Sequence, residues 1–122
     1  MSSFVIRRVA SGVKFDLLAE NGQVIASSEV YDTKAACEKG IASVRKLAPV
    51  AKLEDQTVAA HSALTNPKFE IYLDKAGQYR FRLKARNGKI IAVSESYRAK
   101  PSCEHGVDSV RRNAPIADCE EE

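Results

Sequence analysis

The sequence predicts an α+β domain in which a three-strand meander followed by a helix occurs twice, with both helices covering one face of a shared, mainly antiparallel sheet. Three observations carry this. Residues 21–49, NGQVIASSEVYDTKAACEKGIASVRKLAP, return at 87–115 as NGKIIAVSESYRAKPSCEHGVDSVRRNAP, agreeing without a gap at 16 of 29 positions. Apolar residues alternate with polar ones around each Asn-Gly, as in half-buried strands, and then change to steps of three and four, as on one face of a helix. Each copy has only about 50 residues, too few to bury a sizeable core alone, so the two are expected to share one core about a pseudo-twofold axis.

In the first repeat, residues 1–55, a short strand runs from Phe4 to Val9 and turns at Ala10-Ser11-Gly12. Lys14 to Glu20 alternates, with Phe15, Leu17 and Ala19 on one side and Lys14, Asp16, Leu18 and Glu20 on the other. Asn21-Gly22 signals a tight hairpin, because both central residues of a type I′ turn need positive φ, and Gln23 to Ser28 is the return strand. Cys37, Ile41, Val44 and Ala48 then line a helix capped by Asp32 or Thr33 and ended by Pro49. Gly40 inside that helix implies close approach to the sheet. Val50 to Glu54 reads as one more short strand. Residues 56–67, QTVAAHSALTNP, lack strand alternation and form the linker.

The second repeat, residues 68–122, follows the same plan. Phe69 to Leu73 is a strand, Asp74 to Gly77 a turn, and Tyr79 to Arg86 a regular strand with Tyr79, Phe81, Leu83 and Ala85 inward and Arg80, Arg82, Lys84 and Arg86 outward. After the Asn87-Gly88 hairpin, Lys89 to Glu95 returns. Cys103, Val107, Val110 and Ala114 form the helix stripe, with Pro101 tolerated in its first turn.

Taken together, Gly77-x-Tyr79-Arg80-Phe81-Arg82-Leu83-Lys84-Ala85, Asn87-Gly88, Ser94-Glu95-x-Tyr97, Cys103-x-x-Gly106 and Ser109-Val110-Arg111-x-Asn113-Ala114-Pro115 resemble the YegP-like family of small prokaryotic proteins. The first repeat keeps Asn21-Gly22, Ser28-Glu29-x-Tyr31, Cys37-x-x-Gly40 and Ser43-Val44-Arg45, but has Lys14-Phe15-Asp16-Leu17 where the second has Tyr-Arg-Phe-Arg. The resemblance implies two β-β-β-α-β units in a single sheet, with the C-terminal strands of the repeats, Val50 to Glu54 and Ile116 to Glu120, each swapped onto the other unit. It brings no established biochemical activity.

Net charge is +3, distributed unevenly: +1 over residues 1–67, +6 over 68–115, and −4 over the tail 116–122. The basic excess belongs to the second repeat, where the acidic tail is a possible screen. No apolar run approaches the roughly 18 residues of a membrane helix, and the start, MSSFVIRRVASG, lacks the apolar core of a signal peptide. A cytoplasmic protein without a membrane partner is expected. Cys37 and Cys103 occupy equivalent helical positions and read as packing residues, with Cys119 in the tail.

Counting outward from a two-residue hairpin places Arg86 opposite Lys89, Lys84 opposite Ile91, Arg82 opposite Val93 and Arg80 opposite Glu95, with Lys14 opposite Glu29 in the first repeat. The Ser-Glu pairs are therefore expected to supply cross-strand ion pairs. Tyr31 and Tyr97 are expected to pack under the helix starts. The count also leaves Ile91 and Val93 beside the basic residues, near Tyr72, and Leu18 with Ile25 in the first repeat. This makes Tyr72, Arg80, Arg82, Lys84, Arg86, Lys89, Ile91 and Val93 the candidate binding face, unless the linker or tail covers it.

Apolar residues ringed by arginine suit a protein partner or a homodimer. The alternative is a nucleic acid or other polyanion, with Arg80, Arg82, Lys84, Arg86 and Lys89 on phosphates and Tyr72 stacking on a base. Catalysis is not expected. His61 lies in the linker, His105 and Cys103 point in different directions on one helix, and no set of residues has metal-ligand spacing, so no cofactor or metal is implied.

Overall fold

The structure, a computed structural model, describes all residues from Met1 to Glu122. The first repeat gives strands β1 (Ser3–Val9), β2 (Gly12–Leu18) and β3 (Val24–Ser27), helix α1 (Lys34–Leu47) and strand β4 (Lys52–Asp55). The second gives β5 (Lys68–Leu73), β6 (Tyr79–Lys84), β7 (Ile90–Val93), α2 (Lys100–Asn113) and β8 (Asp118–Glu121). All eight strands form one sheet in the order β4-β5-β6-β7-β3-β2-β1-β8. The exchange of terminal strands is present: β4 pairs parallel with β5, and β8 pairs parallel with β1. No helix is long and apolar enough to cross a membrane.

One core serves both repeats. Phe4, Phe15, Phe69 and Phe81 are fully buried in a single cluster with the stripes of both helices. Cys37 and Cys103 are among them, as packing residues should be. Thr33 caps α1 by accepting from the Ala36 amide at 3.1 Å, whereas α2 begins at Ala99 without a side-chain cap and has Pro101 in its first turn.

Both helix glycines answer to a tyrosine. Tyr31 and Tyr97 bridge back to Val13 and Tyr79 and lay their rings beside Phe15 and Phe81, with centroids 6.4 Å apart in each pair. Any Cβ on Gly40 would collide with the Tyr31 ring, and one on Gly106 would lie 2.6 Å from the Tyr97 hydroxyl oxygen and 2.9 Å from Phe81. The close approach expected at Gly40 is therefore made by the ring that packs beneath it.

Two arginines tie the repeats together. Arg111 on α2 donates to the Ala51 carbonyl at 2.8 Å, ahead of β4, with its guanidinium over Phe69 at 5.2 Å. Arg45 on α1 lies over Phe4 at 5.0 Å and reaches the Ala114 carbonyl at 3.4 Å, just past α2. Each is the arginine of a Ser-Val-Arg repeat, and each holds the crossover of the other unit.

The hairpins depart from expectation. In each Asn-Gly pair only the glycine has positive φ, 83° at Gly22 and 84° at Gly88, so neither Asn21 nor Asn87 supports a type I′ turn. The Gly88 amide donates to the Ala85 carbonyl, and the Ala85 amide to that of Lys89, which closes a longer loop on one left-handed glycine. The added loop residue is absorbed as a bulge: Arg82 still faces Val93, but Lys84 faces Ile90 instead of Ile91. Ile91 and its equivalent Ile25 consequently join the core, only 7% and 8% exposed. Arg86, in the loop, does not face Lys89 across strands.

The expected cross-strand ion pairs are also absent. Ser94 Oγ accepts from the Phe81 amide at 2.8 Å and donates to the Glu95 carbonyl at 2.7 Å, and Ser28 does the same with Phe15 and Glu29. The serine hydroxyl takes a place in the ladder, the strand ends there, and Glu29 and Glu95 are left exposed. Arg80 turns instead to Asp74.

Candidate functional site

Alternation along β5 and β6 sends Phe69, Ile71, Phe81 and Leu83 into the core and leaves Lys68, Glu70, Tyr72, Arg80, Arg82 and Lys84 on the opposite face. Register then decides their neighbours. Glu70 faces Arg82, Tyr72 faces Arg80, Lys68 faces Lys84, and Glu54 on β4 faces Glu70.

Two carboxylates side by side repel unless a cation lies between them. Lys68 does so, with Nζ 2.8 Å from Glu54 Oε1 and 3.0 Å from Glu70 Oε2. Arg82 Nε adds a 2.6 Å bond to Glu70, and Lys84 Nζ lies 3.3 Å away. Burial alone would push the Glu70 carboxyl up, but hydrogen bonds from Arg82, Lys68 and Lys84 together hold it below the usual carboxylate range. Glu54 falls to about 2, held first by Lys68, then by the Leu64 amide and Gln56.

The linker is part of this arrangement. The Leu64 amide donates to Glu54 Oε1 at 2.6 Å, Gln56 Nε2 donates to Oε2 at 2.7 Å, and the His61 ring nitrogen lies 3.9 Å from the same carboxylate. It closes over Glu54 at the β4 end of the outer face, and Glu54 and its neighbour Glu70 are only 3% and 1% exposed.

The expected face is therefore partly brought together and partly dispersed. Arg82 lies over the Tyr72 ring at 4.3 Å, so one side of that ring is already occupied. Arg80 bonds Asp74 at 2.8 Å. Val93 is half-buried between Arg82 and Ser27. Arg86 and Lys89 stand exposed at the hairpin without ion partners, and Ile91 is in the core. The acidic tail lies at the opposite edge of the sheet, where Glu121 bonds Lys34 at 2.6 Å, so it does not screen the basic stripe.

Sequence reasoning missed Lys68, Glu54 and Glu70, although their positions in the strand alternation were available. Counting across an Asp74 to Gly77 turn would have set Glu70 against Phe81; the loop runs on to Gln78, pairs Leu73 with Tyr79, and so puts Glu70 against Arg82. The first repeat reverses the polarity: Val5 stands where Glu70 does, and Asp16, opposite it, binds Arg7 at 2.8 Å and accepts from Ser27 Oγ at 2.6 Å.

Nucleophile chemistry has little footing in the helices. Burial pushes the Cys103 thiol up to about 11 and raises Cys37 as well, which disfavours thiolates. His105 is exposed on α2.

A family model described as a domain of unknown function (DUF1508) matches residues 10–55 and 74–121, one segment in each repeat. The chain belongs to this family. Among DUF1508 relatives, the UPF0339 protein YegP of Yersinia pestis is 35% identical over 114 residues, covering 93% of this chain and 88% of its own. A UPF0339 protein of Methanosarcina acetivorans is 60% identical over 50 residues, 41% of this chain and 86% of that one. The solution structure of the Escherichia coli protein of unknown function yegP aligns with a TM-score of 0.81 at 30% identity, over 99% of this chain and 92% of its own. That of a UPF0339 protein from Shewanella oneidensis aligns at 0.80 and 26%, over 98% and 90%.

Proposed function

We propose that this DUF1508 protein is a non-catalytic interaction module that docks a partly apolar protein surface on the outer face of β5–β7, around Tyr72, Arg80, Arg82 and Val93. The observation that carries this reading is Glu70. A buried carboxylate bonded to Arg82, Lys68 and Lys84 fixes those cations before any partner arrives, and a pre-organised Arg-Tyr stack beside an apolar residue is the kind of anchor protein interfaces use.

The same pairing weighs against a polyanion on this stripe. A phosphate that drew Arg82 away would leave Glu70 buried with fewer partners, a cost of a few kcal/mol. Self-association through the face gains little from charge, since its cations Lys68, Arg80, Arg82 and Lys84 already have Glu54, Glu70 and Asp74 as partners.

The test is capture of a partner from cell extract by the wild-type chain, compared with Val93→Glu, Arg80→Glu and, as a control on the helix side, Lys39→Glu. Loss with the first two and retention with the third supports the reading. Equal capture by all, or a mass that rises with protein concentration in a Val93-dependent manner, replaces it with another surface or with a homodimer.

A further inference from the structure

Beyond the docking face, the two ends of the sheet present the same backbone with different charges. At one end the last turns of α1 meet the β6–β7 hairpin, and a cavity of about 290 Å³ opens between Ser43, Lys46 and Leu47 on one side and Ala85, Arg86 and Asn87 on the other. A second cavity of about 360 Å³ adjoins it across Arg86, walled by Val50, Lys52 and the linker from Leu64 to Pro67. Arg86 is the shared wall.

Lys46 and Arg86 line the first cavity and Lys52 and Arg86 the second, and none of the three forms an ion pair. That contrasts with the sheet face, where Lys68, Arg80, Arg82 and Lys84 each have a carboxylate within 3.3 Å. The side-chain amide of Asn66, beside Gly88, makes no hydrogen bond within the protein and adds a neutral polar group to the same wall.

The repeat supplies an internal control. At the opposite end the equivalent cavity is lined by Ala19, Glu20, Asn21, Ser109, Arg112, Asn113 and Ile116. By the repeat alignment Arg112 stands for Lys46, Glu20 for Arg86, and Asp118 for Lys52. The Lys46/Arg112 position keeps its charge in both, as opposing the dipole of a helix C-terminus requires. The other two positions change sign, so the fold does not require cations there.

We propose that the cleft around Arg86 recognises a phosphate group on a small ligand. Arg86 has one unpaired lysine in each cavity beside it, and such a pair of positive charges matches a phosphoryl group, which carries close to two negative charges near neutral pH, better than it matches a single carboxylate. Arg86 offers a planar fork for two of its oxygens, with Lys46 as the point charge on the side of the first cavity and Lys52 on the side of the second. Val50, 62% exposed, gives the remainder of such a ligand an apolar wall. This site is independent of the docking face, and Val93→Glu leaves it unchanged.

The experiment is a titration of the full chain with inorganic phosphate and with pyrophosphate, at ionic strength held constant with sodium chloride, read from backbone amide shifts. Saturable shifts at Lys46, Lys52, Asn66, Arg86 and Asn87 are expected. They weaken about tenfold in Arg86→Glu, which exchanges a favourable charge for a repulsive one, and persist in Arg112→Glu. Amides remote from the hairpin report that each variant is folded. Absence of saturation, or equal shifts at Asn21 and Arg112, overturns the proposal. So does a response to duplex DNA or single-stranded RNA that neither phosphate nor pyrophosphate produces, because the ligand is then a polymer rather than a small phosphate.

Discussion

Glu70 Oε1 lies 2.6 Å from Arg82 Nε on the neighbouring strand, and that pair sets the character of the outer face. Because Glu70 is 1% exposed, its charge is tolerable only while its cations stay in place. Glu70→Gln is expected to cost about 3 kcal/mol in a denaturant titration. Glu70→Val, the residue found at the equivalent Val5, costs less, since Lys68 keeps its bond to Glu54 while Arg82 and Lys84 are part-exposed and can turn to water. A neutral Glu70→Gln would show that the network contributes nothing.

Acid stability depends on the same cluster. Glu54 is pushed down to about 2 from an ordinary 4.5, and Glu70 is lowered as well. A carboxyl whose folded-state value lies below its unfolded one contributes stability above the unfolded value and loses it as pH falls through the folded value. The melting temperature should therefore change little between about pH 7 and 5 and fall between about 4.5 and 2. Glu54→Gln should flatten that fall while lowering the plateau.

Gly106 is expected to resist substitution although it lies mid-helix. Alanine gains about 1 kcal/mol of helix propensity but drives its Cβ against Tyr97 and Phe81, for a net loss of about 1–2 kcal/mol. Tyr97→Phe in the same chain removes the nearest atom and should restore part of the thermal stability. If Gly106→Ala alone raises the melting temperature, the ring moves freely and the packing argument fails.

Arg111 is expected to hold the strand exchange. Arg111→Ala loses both the bond to Ala51 and the contact with Phe69, together about 1–2 kcal/mol. Amide hydrogen exchange in β4 should accelerate more than in β2, because β4 is what the arginine anchors. Arg111→Lys should recover only part of the loss, having no planar fork.

Thiol chemistry should single out Cys119. It is exposed, whereas Cys37 and Cys103 are fully buried, with Cys103 pushed up to about 11. Mass spectrometry after alkylation of the native protein near pH 8 should show one adduct, and three after denaturation. Rapid labelling of Cys103 in the folded chain would point to an opening of α2 from the sheet.

Much of this molecule follows from sequence alone. Alternation at Phe81 and Leu83, the stripe through Cys103, Val107 and Val110, and the repeated Asn-Gly and Pro positions determine strands, helices and duplication, because each depends on neighbours within a few residues. Resemblance to the family added the exchange of β4 and β8. The hairpin register did not follow, since Asn-Gly serves either a two-residue turn or a longer one with a bulge, and the backbone of a single asparagine decides between them. That choice sent Ile91 into the core and out of the candidate face. Ion pairing was equally out of reach. Whether Arg82 meets a phosphate, Glu95 or Glu70 depends on which strands become neighbours and on where the linker settles over Glu54, and only the assembled sheet fixes those distances.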